Sequence, residues 1–102
     1  MSTESDRMIV EAISNKKILE FNYDGYHRIA EPHVYGRSNG TLQILVYQIE
    51  GGSSSGGLPQ WRRADVDRIS DMQVTNRDFA GRRPYPSGKH SSFDEVIMIV
   101  DP

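Results

Sequence analysis

Cysteine is absent from this chain of 102 residues, and tryptophan occurs only once. The lack of cysteine excludes disulfide bonds, thiolate-bound zinc and a cysteine nucleophile, and it is compatible with a reducing compartment. No run of apolar residues approaches the roughly 20 that a membrane-spanning helix needs, and the polar, acidic start MSTESD is unlike a signal peptide. We therefore expect a soluble, cytoplasmic protein that has no membrane partner.

The length and composition predict a single globular domain over residues 1–102. Hydrophobic residues make up 36% of the chain and charged residues 25%, which is typical of a folded protein rather than a disordered one. So short a chain has difficulty enclosing a ligand cavity of about 300–1,000 Å³ by itself. We therefore expect any binding surface to be an exposed face or a groove between two copies.

Charge is unevenly distributed along the chain, although the net charge is only −2. Residues 60–90 carry seven basic and four acidic side chains, whereas residues 91–102 carry three acidic and no basic ones. A local basic patch on an acidic protein suits a small or single-stranded anionic ligand better than a long duplex, because duplex affinity depends on many simultaneous phosphate contacts. The alternative is a solvated charged surface.

The first half of the chain predicts one helix followed by a β-meander. Apolar residues have helical spacing over residues 5–15, and the period changes to two from Ile18 onward. Asp24-Gly25 and Asn39-Gly40 are typical of tight hairpin turns, and Pro32 predicts a bend, a bulge or an edge within the second strand. The third strand, TLQILVYQIE, is apolar on both faces and should be central.

The second half predicts further strands separated by irregular segments. Residues 51–57, GGSSSGG, should form a flexible loop with a disordered tip. A fourth strand should follow, then a tight corner near residues 65–68 and a fifth strand through Val74. Residues 77–92 lose periodicity and should be an irregular loop, whereas the short β-branched run FDEVIMIV favours a strand over a helix. The fold class is mainly β with one N-terminal helix, in the form of a small barrel.

Catalytic motifs are lacking. The chain has no nucleophile-elbow motif, no Walker loop and no dinucleotide-binding glycine motif, and its three histidines fit no metal-ligand spacing. Asp65 and Asp67 could in principle perform acid–base chemistry, but the neighbouring Arg63 and Arg68 keep carboxylates ionised, as in a structural ion pair. We expect no enzymatic activity, no cofactor and no metal.

A binding surface has more support, and it centres on the stretch PQWRRADVDRI at residues 59–69. Aromatic and arginine side chains from neighbouring strands could share one face, interleaved as in nucleotide and single-strand binders. The alternative is structural: Trp61 and the tyrosines are core residues, and Arg68 pairs with Asp65 or Asp67. The candidate ligand-binding residues are Arg28, Tyr47, Trp61, Arg63 and Arg68, with Tyr23 as a further aromatic.

The order of these signals resembles the WYL domain of bacterial regulators, a small barrel related to the Sm and SH3-like folds. The matching pieces are the helix end EAISNKK, the strand ILEFNY, Arg28 to Pro32 as R-x-x-x-P, a glycine-turn strand, and Asp67-Arg68-Ile69. They cover roughly residues 9–75. Where the name-giving Trp-Tyr-Leu of the family falls, this chain has Leu-Gln-Ile at residues 42–44.

The resemblance implies a single WYL-like domain with an SH3/Sm-like barrel of about five strands. It also implies an effector-sensing module of transcription regulation that binds a nucleotide or single-stranded nucleic acid, carries Arg28 and Arg68 as contacts, and performs no catalysis. Family members usually follow a DNA-binding helix-turn-helix, for which this chain has no room, so we expect a stand-alone sensor or adaptor. The alternative function is a dimerising adaptor that pairs through strand edges or through FDEVIMIV and binds no nucleic acid.

Overall fold

A computed structural model describes residues 3–52, 57, 59–83 and 93–101 of the chain. The elements are α1 (Thr3–Asn15), β1 (Lys17–Tyr23), β2 (Tyr26–Ser38), β3 (Thr41–Gly51), β4 (Gln60–Asp65), a 3₁₀ turn (Val66–Arg68), β5 (Ser70–Asp78) and β6 (Glu95–Ile99). The strand order is β4-β3-β2-β1-β5, and β6 pairs with β2. All of these strand pairings are antiparallel.

Two tight turns set the register of the meander. Asp24 and Gly25 have φ angles of 52° and 80°, and Asn39 and Gly40 have φ angles of 54° and 78°. Both turns therefore have left-handed backbone at their two central residues, as in type I′ hairpins. The two hairpins predicted from Asp-Gly and Asn-Gly are confirmed.

Strand β2 changes partners along its length. Its first half pairs with β1, its second half with β6, and β3 runs along most of the other edge. The β2–β3 register shifts between Pro32 and Val34, so the predicted irregularity at the proline is a bulge. The bulge allows one strand to belong to two parts of a strongly curved sheet.

The core lies between the concave face of the sheet and α1. Ile9, Ala12 and Ile13 of the helix are buried against strand residues that include Phe21. The fully buried Tyr35 donates a hydrogen bond from its hydroxyl to Asp6 Oδ1 at 2.7 Å, which fastens α1 to β2. Burial, together with this hydrogen bond, raises the pKa of Tyr35.

The ends of the sheet are brought together by the 3₁₀ turn Val66–Arg68, which joins β4 to β5. The molecule is nearly isotropic, with extents of 29 × 28 × 26 Å, so the sheet is curled and is consistent with a small barrel. The predicted fold class, mainly β with one N-terminal helix, is confirmed. None of the described residues belongs to a helix with the length and apolar character needed to span a bilayer.

Two features differ from the sequence predictions. FDEVIMIV, which was predicted as a strand, supplies β6, so the sheet formed by the described residues has six strands, one more than the five of the barrel estimate. Strand β5 continues past Val74 to Asp78, because its pairing with β1 extends to Lys17, so residues 77 and 78 are strand rather than loop. The predicted disorder of the 51–57 loop tip and most of the predicted 77–92 loop lie outside the described residues.

Replacement of Gly36 by alanine is expected to displace β6 from β2. A Cβ atom at this position would meet the backbone oxygen of Glu95 and lie 3.0 Å from Phe93 Cδ2. We expect a loss of about 1–3 kcal/mol in the free energy of unfolding, as in other overpacked sites. Urea unfolding measures the loss, and amide exchange of residues 95–99 locates it.

Gly40→Ala is the control for that substitution. Gly40 has a positive φ, but a Cβ atom at this position would have no other atom within 4 Å, so alanine adds backbone strain of about 1 kcal/mol without a clash. Its β6 amides should keep their protection. Equal loss of β6 protection in both variants would contradict the steric explanation.

Candidate functional site

The predicted ligand-binding residues lie on two opposite faces of the curled sheet. Arg28 on β2 is opposite Phe21 and shares the inner, core-bearing face. Tyr47 on β3 is opposite Trp61 on β4, and strand alternation places Arg63 on the same outer face as Trp61. The single shared face suggested by the sequence is therefore wrong, because neighbouring strands supplied the residues but not a common side of the sheet.

Arg28 lies at one end of the barrel, with only 6% of its surface exposed. Its Nη1 donates to Gln48 Oε1 at a long 3.4 Å, and its guanidinium carbon lies 5.3 Å from the ring centroid of Tyr23 and 5.8 Å from that of Tyr26. Among the described residues, no carboxylate forms an ion pair with Arg28, and its buried Nε has no hydrogen-bond partner. A buried cation held only by rings and one amide is an uncompensated positive charge.

A second arginine, which the sequence interpretation left out, adds to this charge. Arg62 on β4 is opposite Val46 on β3, whose side chain is buried in the core, so it faces the inner side like Arg28. Burial, followed by the charge of Arg28, lowers the pKa of Arg62. Strand alternation puts Arg62 on the same face as Ala64, but only the structure shows that Ala64, and therefore this face, is the buried one.

Arg68 lies in the 3₁₀ turn beside the same end of the barrel. Its guanidinium carbon is 5.0 Å from the Tyr23 ring centroid, and it forms ion pairs with Asp24 and, at 4.0 Å, with Asp65. The structural interpretation that paired Arg68 with Asp65 is confirmed, and Asp24 is an additional partner. An open groove of about 480 Å³ runs between Tyr23, Asp24 and Arg68.

Tyr23 is held rigidly between these arginines. Its hydroxyl accepts a hydrogen bond from the backbone N–H of Asp65 at 3.0 Å, and its ring is buried at the edge of the core. The ring contacts both Arg28 and Arg68. We call Tyr23, Arg28, Arg62 and Arg68 the basic end of the barrel.

The outer face carries a cluster of aromatic rings around His33. The His33 ring meets Trp61 edge-on at 4.8 Å between centroids and stacks on Phe79 at 5.6 Å, while Tyr47 meets Trp61 at 5.0 Å. Phe79 belongs to residues 79–83, which follow β5 and cross the outer face. We call residues 79–83 the strap.

Arg83 fastens the strap to β2 by an ion pair and to β3 by a cation–π contact. Arg83 donates from Nε and Nη2 to the two carboxylate oxygens of Glu31 at 2.6 and 2.9 Å, and its guanidinium carbon lies 4.5 Å from the Tyr47 ring centroid. The Glu31 side chain is only 5% exposed. The hydrogen bond to Glu31 raises the pKa of Arg83. Tyr47 therefore contacts a cation of its own chain.

Arg63 also contacts the C-terminal part of the chain. Its guanidinium carbon lies 4.0 Å from the ring centroid of Phe93, and its Nη2 donates to Gln43 Oε1 at 2.7 Å. Burial lowers the pKa of Arg63. The outer face thus carries Tyr47, Trp61 and Arg63, and strand alternation had predicted a common face for the last two. The contacts described for these three side chains are with other residues of the protein.

The two histidines that the structure describes do not converge. His27 is exposed and bonds Asn22 Oδ1 and Glu20 Oε2, each at 2.9 Å, whereas His33 is buried beneath the strap. Within the described ranges, no group of three or more histidine, aspartate or glutamate residues could hold a metal ion. His90 lies outside the described residues.

Comparison with known proteins gives no relative: no family model, no curated protein and no solved structure matches the chain. The site must therefore be interpreted from its own chemistry. The basic end of the barrel combines buried and half-exposed guanidinium groups with aromatic rings, which is a donor set for an anion with a planar part.

Proposed function

We propose that the chain is a non-catalytic binding module for a nucleotide or a short single-stranded nucleic acid, and that the basic end of the barrel contacts the phosphate. The observation that carries this proposal is Arg28, a buried guanidinium for which the described residues supply no carboxylate. A phosphate would supply the missing negative charge, and guanidinium groups bind phosphate through paired N–H donors.

The surroundings of Arg28 support an aromatic nucleobase next to that phosphate. Tyr26 is 37% exposed and lies beside the Arg28 guanidinium, so its ring is accessible for stacking. Arg68 borders the adjoining groove, although its two carboxylate partners offset part of its charge. The resemblance to WYL domains is the reason for adding a regulatory role in the cytoplasm to this proposal.

Binding of short oligothymidylates and of nucleoside monophosphates tests the proposal. We expect measurable affinity at about 50 mM salt and weaker affinity at about 200 mM. Each contact between an arginine and a phosphate releases a counterion from the ligand, and this release is less favourable at higher salt. Arg62→Met should weaken binding by removing a second cation from the basic end. Arg37→Met is the matched control, since Arg37 lies on the far half of β2 and pairs with Glu95.

An absence of affinity for every oligonucleotide and nucleotide at low salt would refute the proposal. Equal weakening by Arg62→Met and Arg37→Met would instead mean that the effect is one of total charge. Fluorescence anisotropy of a dye-labelled oligothymidylate and isothermal titration calorimetry provide two independent measures of affinity.

A second candidate function is a dimerising adaptor, and strand β6 favours it. Val96, Ile97 and Ile99 are 50%, 42% and 40% exposed, and among the described strands β6 pairs only with β2. An apolar edge strand can be extended by a strand of another chain. This candidate is therefore strand addition at β6, with no nucleic-acid ligand.

Sedimentation equilibrium distinguishes the two candidates. The adaptor hypothesis predicts a dimer that Ile97→Lys converts to a monomer, and it predicts that alanine at Arg63 and Arg68 leaves the association unchanged. The binding-module proposal instead concerns the affinity for the ligand, and it predicts that Ile97→Lys leaves this affinity unchanged. A monomer at all accessible concentrations would remove the adaptor hypothesis.

A further inference from the structure

His33 is the residue through which β2, the strap and the last residues of the chain are joined. It is fully buried. Its Nδ1 donates to the backbone oxygen of Glu31 at 2.9 Å, and its Nε2 accepts from the backbone N–H of Arg83 at 3.2 Å. Its own backbone oxygen accepts from the Val100 N–H at 2.8 Å.

These bonds require the neutral imidazole with the proton on Nδ1. A protonated ring has two N–H donors, so Nε2 could no longer accept from the Arg83 amide. The tautomer follows from the partners, because the Glu31 carbonyl can only accept and the Arg83 amide can only donate. Protonation would therefore place two donors against each other in a buried site.

The charged groups around His33 have opposite effects on the protonation of its ring. Glu31 on β2 favours the protonated ring, but its carboxylate is held by Arg83. Arg82 and Arg83 from the strap disfavour it, and the aromatic neighbours on β4 and the strap, Trp61 and Phe79, carry no charge. Asp101 contacts the strap through its backbone oxygen, which accepts from the Arg82 N–H.

We propose that His33 is a pH-sensitive latch: its protonation breaks the hydrogen bond to the Arg83 amide and releases the strap, which uncovers the ring of Tyr47. The strap has no regular hydrogen-bonded ladder. The backbone N–H groups of Phe79, Arg82 and Arg83 donate to Lys16, Asp101 and His33, respectively. The side chains of Arg82 and Arg83 add hydrogen bonds to Val100 and Glu31. The latch operates on the outer face and does not depend on the proposed ligand of the basic end.

The direction of the pH effect follows from burial. Desolvation lowers the pKa of His33 below its ordinary value of 6.5, so the released or unfolded state binds the proton more tightly than the closed state. The closed state is therefore fully favoured above pH 6.5 and loses stability as the pH falls from 6.5 toward the lowered pKa. Acid opens the latch, and base closes it.

Amide exchange measured by NMR on the intact chain tests the latch between about pH 7.5 and pH 4.5. After correction for intrinsic exchange, protection of the Arg83 amide should fall by up to about tenfold per pH unit between pH 6.5 and the lowered pKa, and it should level off below that pKa, as expected for one proton. Amides of the β1–β2 ladder should keep their protection. The nitrogen shifts of the His33 ring should titrate at the pH where this fall in protection levels off.

His33→Gln removes the titration while keeping an acceptor, since the glutamine side-chain oxygen can accept from the Arg83 amide, and its profile should be flat. His27→Gln is the matched control, because His27 is exposed and should leave the wild-type profile unchanged. The wild-type comparison of ring titration with amide exchange needs no variant, so it stands even where His33→Gln does not fold.

Three results would overturn the latch. One is Arg83 protection that does not change over the pH range. Another is loss of protection in step with the β1–β2 ladder, which would mean global unfolding. The third is an unchanged pH profile in His33→Gln, which would assign the effect to a carboxylate such as Glu31.

Discussion

Replacement of Arg28 by methionine is expected to stabilise the protein and to abolish its binding of oligonucleotides. Methionine keeps an unbranched stem of similar length against the rings of Tyr23 and Tyr26, but it removes the buried charge. Apolar replacement of buried ionic groups is often stabilising by about 1–4 kcal/mol, and the ring contacts of Arg28 place the expected gain at the low end of that range. Removal of this one charge should therefore stabilise the free protein and weaken the complex.

The loss of affinity should be large because Arg28 is desolvated before any ligand arrives. Truncating one partner of a buried charge pair costs about 2–5 kcal/mol, which corresponds to roughly 30-fold or more in Kd. Exposed arginines have smaller effects, since water already screens them. Urea unfolding and calorimetric titration on the same preparation measure the two effects together.

Arg37→Met again provides the control, because this arginine is exposed and has a carboxylate partner. It should change neither quantity by more than about 0.5 kcal/mol, as is usual for surface substitutions. Destabilisation of Arg28→Met with binding intact would contradict the proposal. Arg28 would then be a structural residue whose charge the fold needs.

Replacement of Arg83 by alanine is expected to produce a large loss of stability. It leaves the carboxylate of Glu31, whose side chain is 5% exposed, without its cation, and it removes the cation–π contact with Tyr47. Breaking a buried ion pair costs about 3–5 kcal/mol, and the exposure of Arg83 itself lowers the expected loss to about 2–3 kcal/mol. Amide exchange should show the loss first in the strap.

Arg82→Ala is the matched control for this prediction. The neighbouring Arg82 donates to the backbone oxygen of Val100 rather than to a carboxylate, so its removal should cost about 1–2 kcal/mol. Glu31→Gln combined with Arg83→Ala should recover part of the lost stability, because no charge is then left buried. A loss in Arg83→Ala no larger than in Arg82→Ala would contradict the buried ion pair.

Local signals in the sequence were sufficient for most of the fold. Asp-Gly and Asn-Gly specify left-handed turn residues, and Pro32 cannot donate to a ladder. Helical spacing ends at Asn15, and the strand period begins at Ile18. Each of these features depends on a few adjacent residues. They were predictable because the backbone conformation they require is decided by the chemistry of those residues alone.

The candidate site was predictable only in its composition. Alternation indicated that Trp61 and Arg63 share a face, but it could not say which of Arg62 and Arg63 joins Arg28. That depends on the β3–β4 register, in which Arg62 is opposite the core residue Val46. A shift of one residue would exchange the two faces.

The sequence by itself determined the helix, the meander and its two tight turns, because those depend on local backbone preferences. It also predicted an irregularity at Pro32, but only the structure shows that this is a bulge. Only the tertiary structure decided that Arg28 is buried without a carboxylate partner in the described chain, and that His33, Tyr47 and Trp61 lie beneath or beside the strap. The sequence of the strap has no periodic pattern, so it does not predict where the strap packs. Its place is set by long-range contacts, above all the pair between Arg83 and Glu31, which are far apart in the chain and meet only when the sheet has curled.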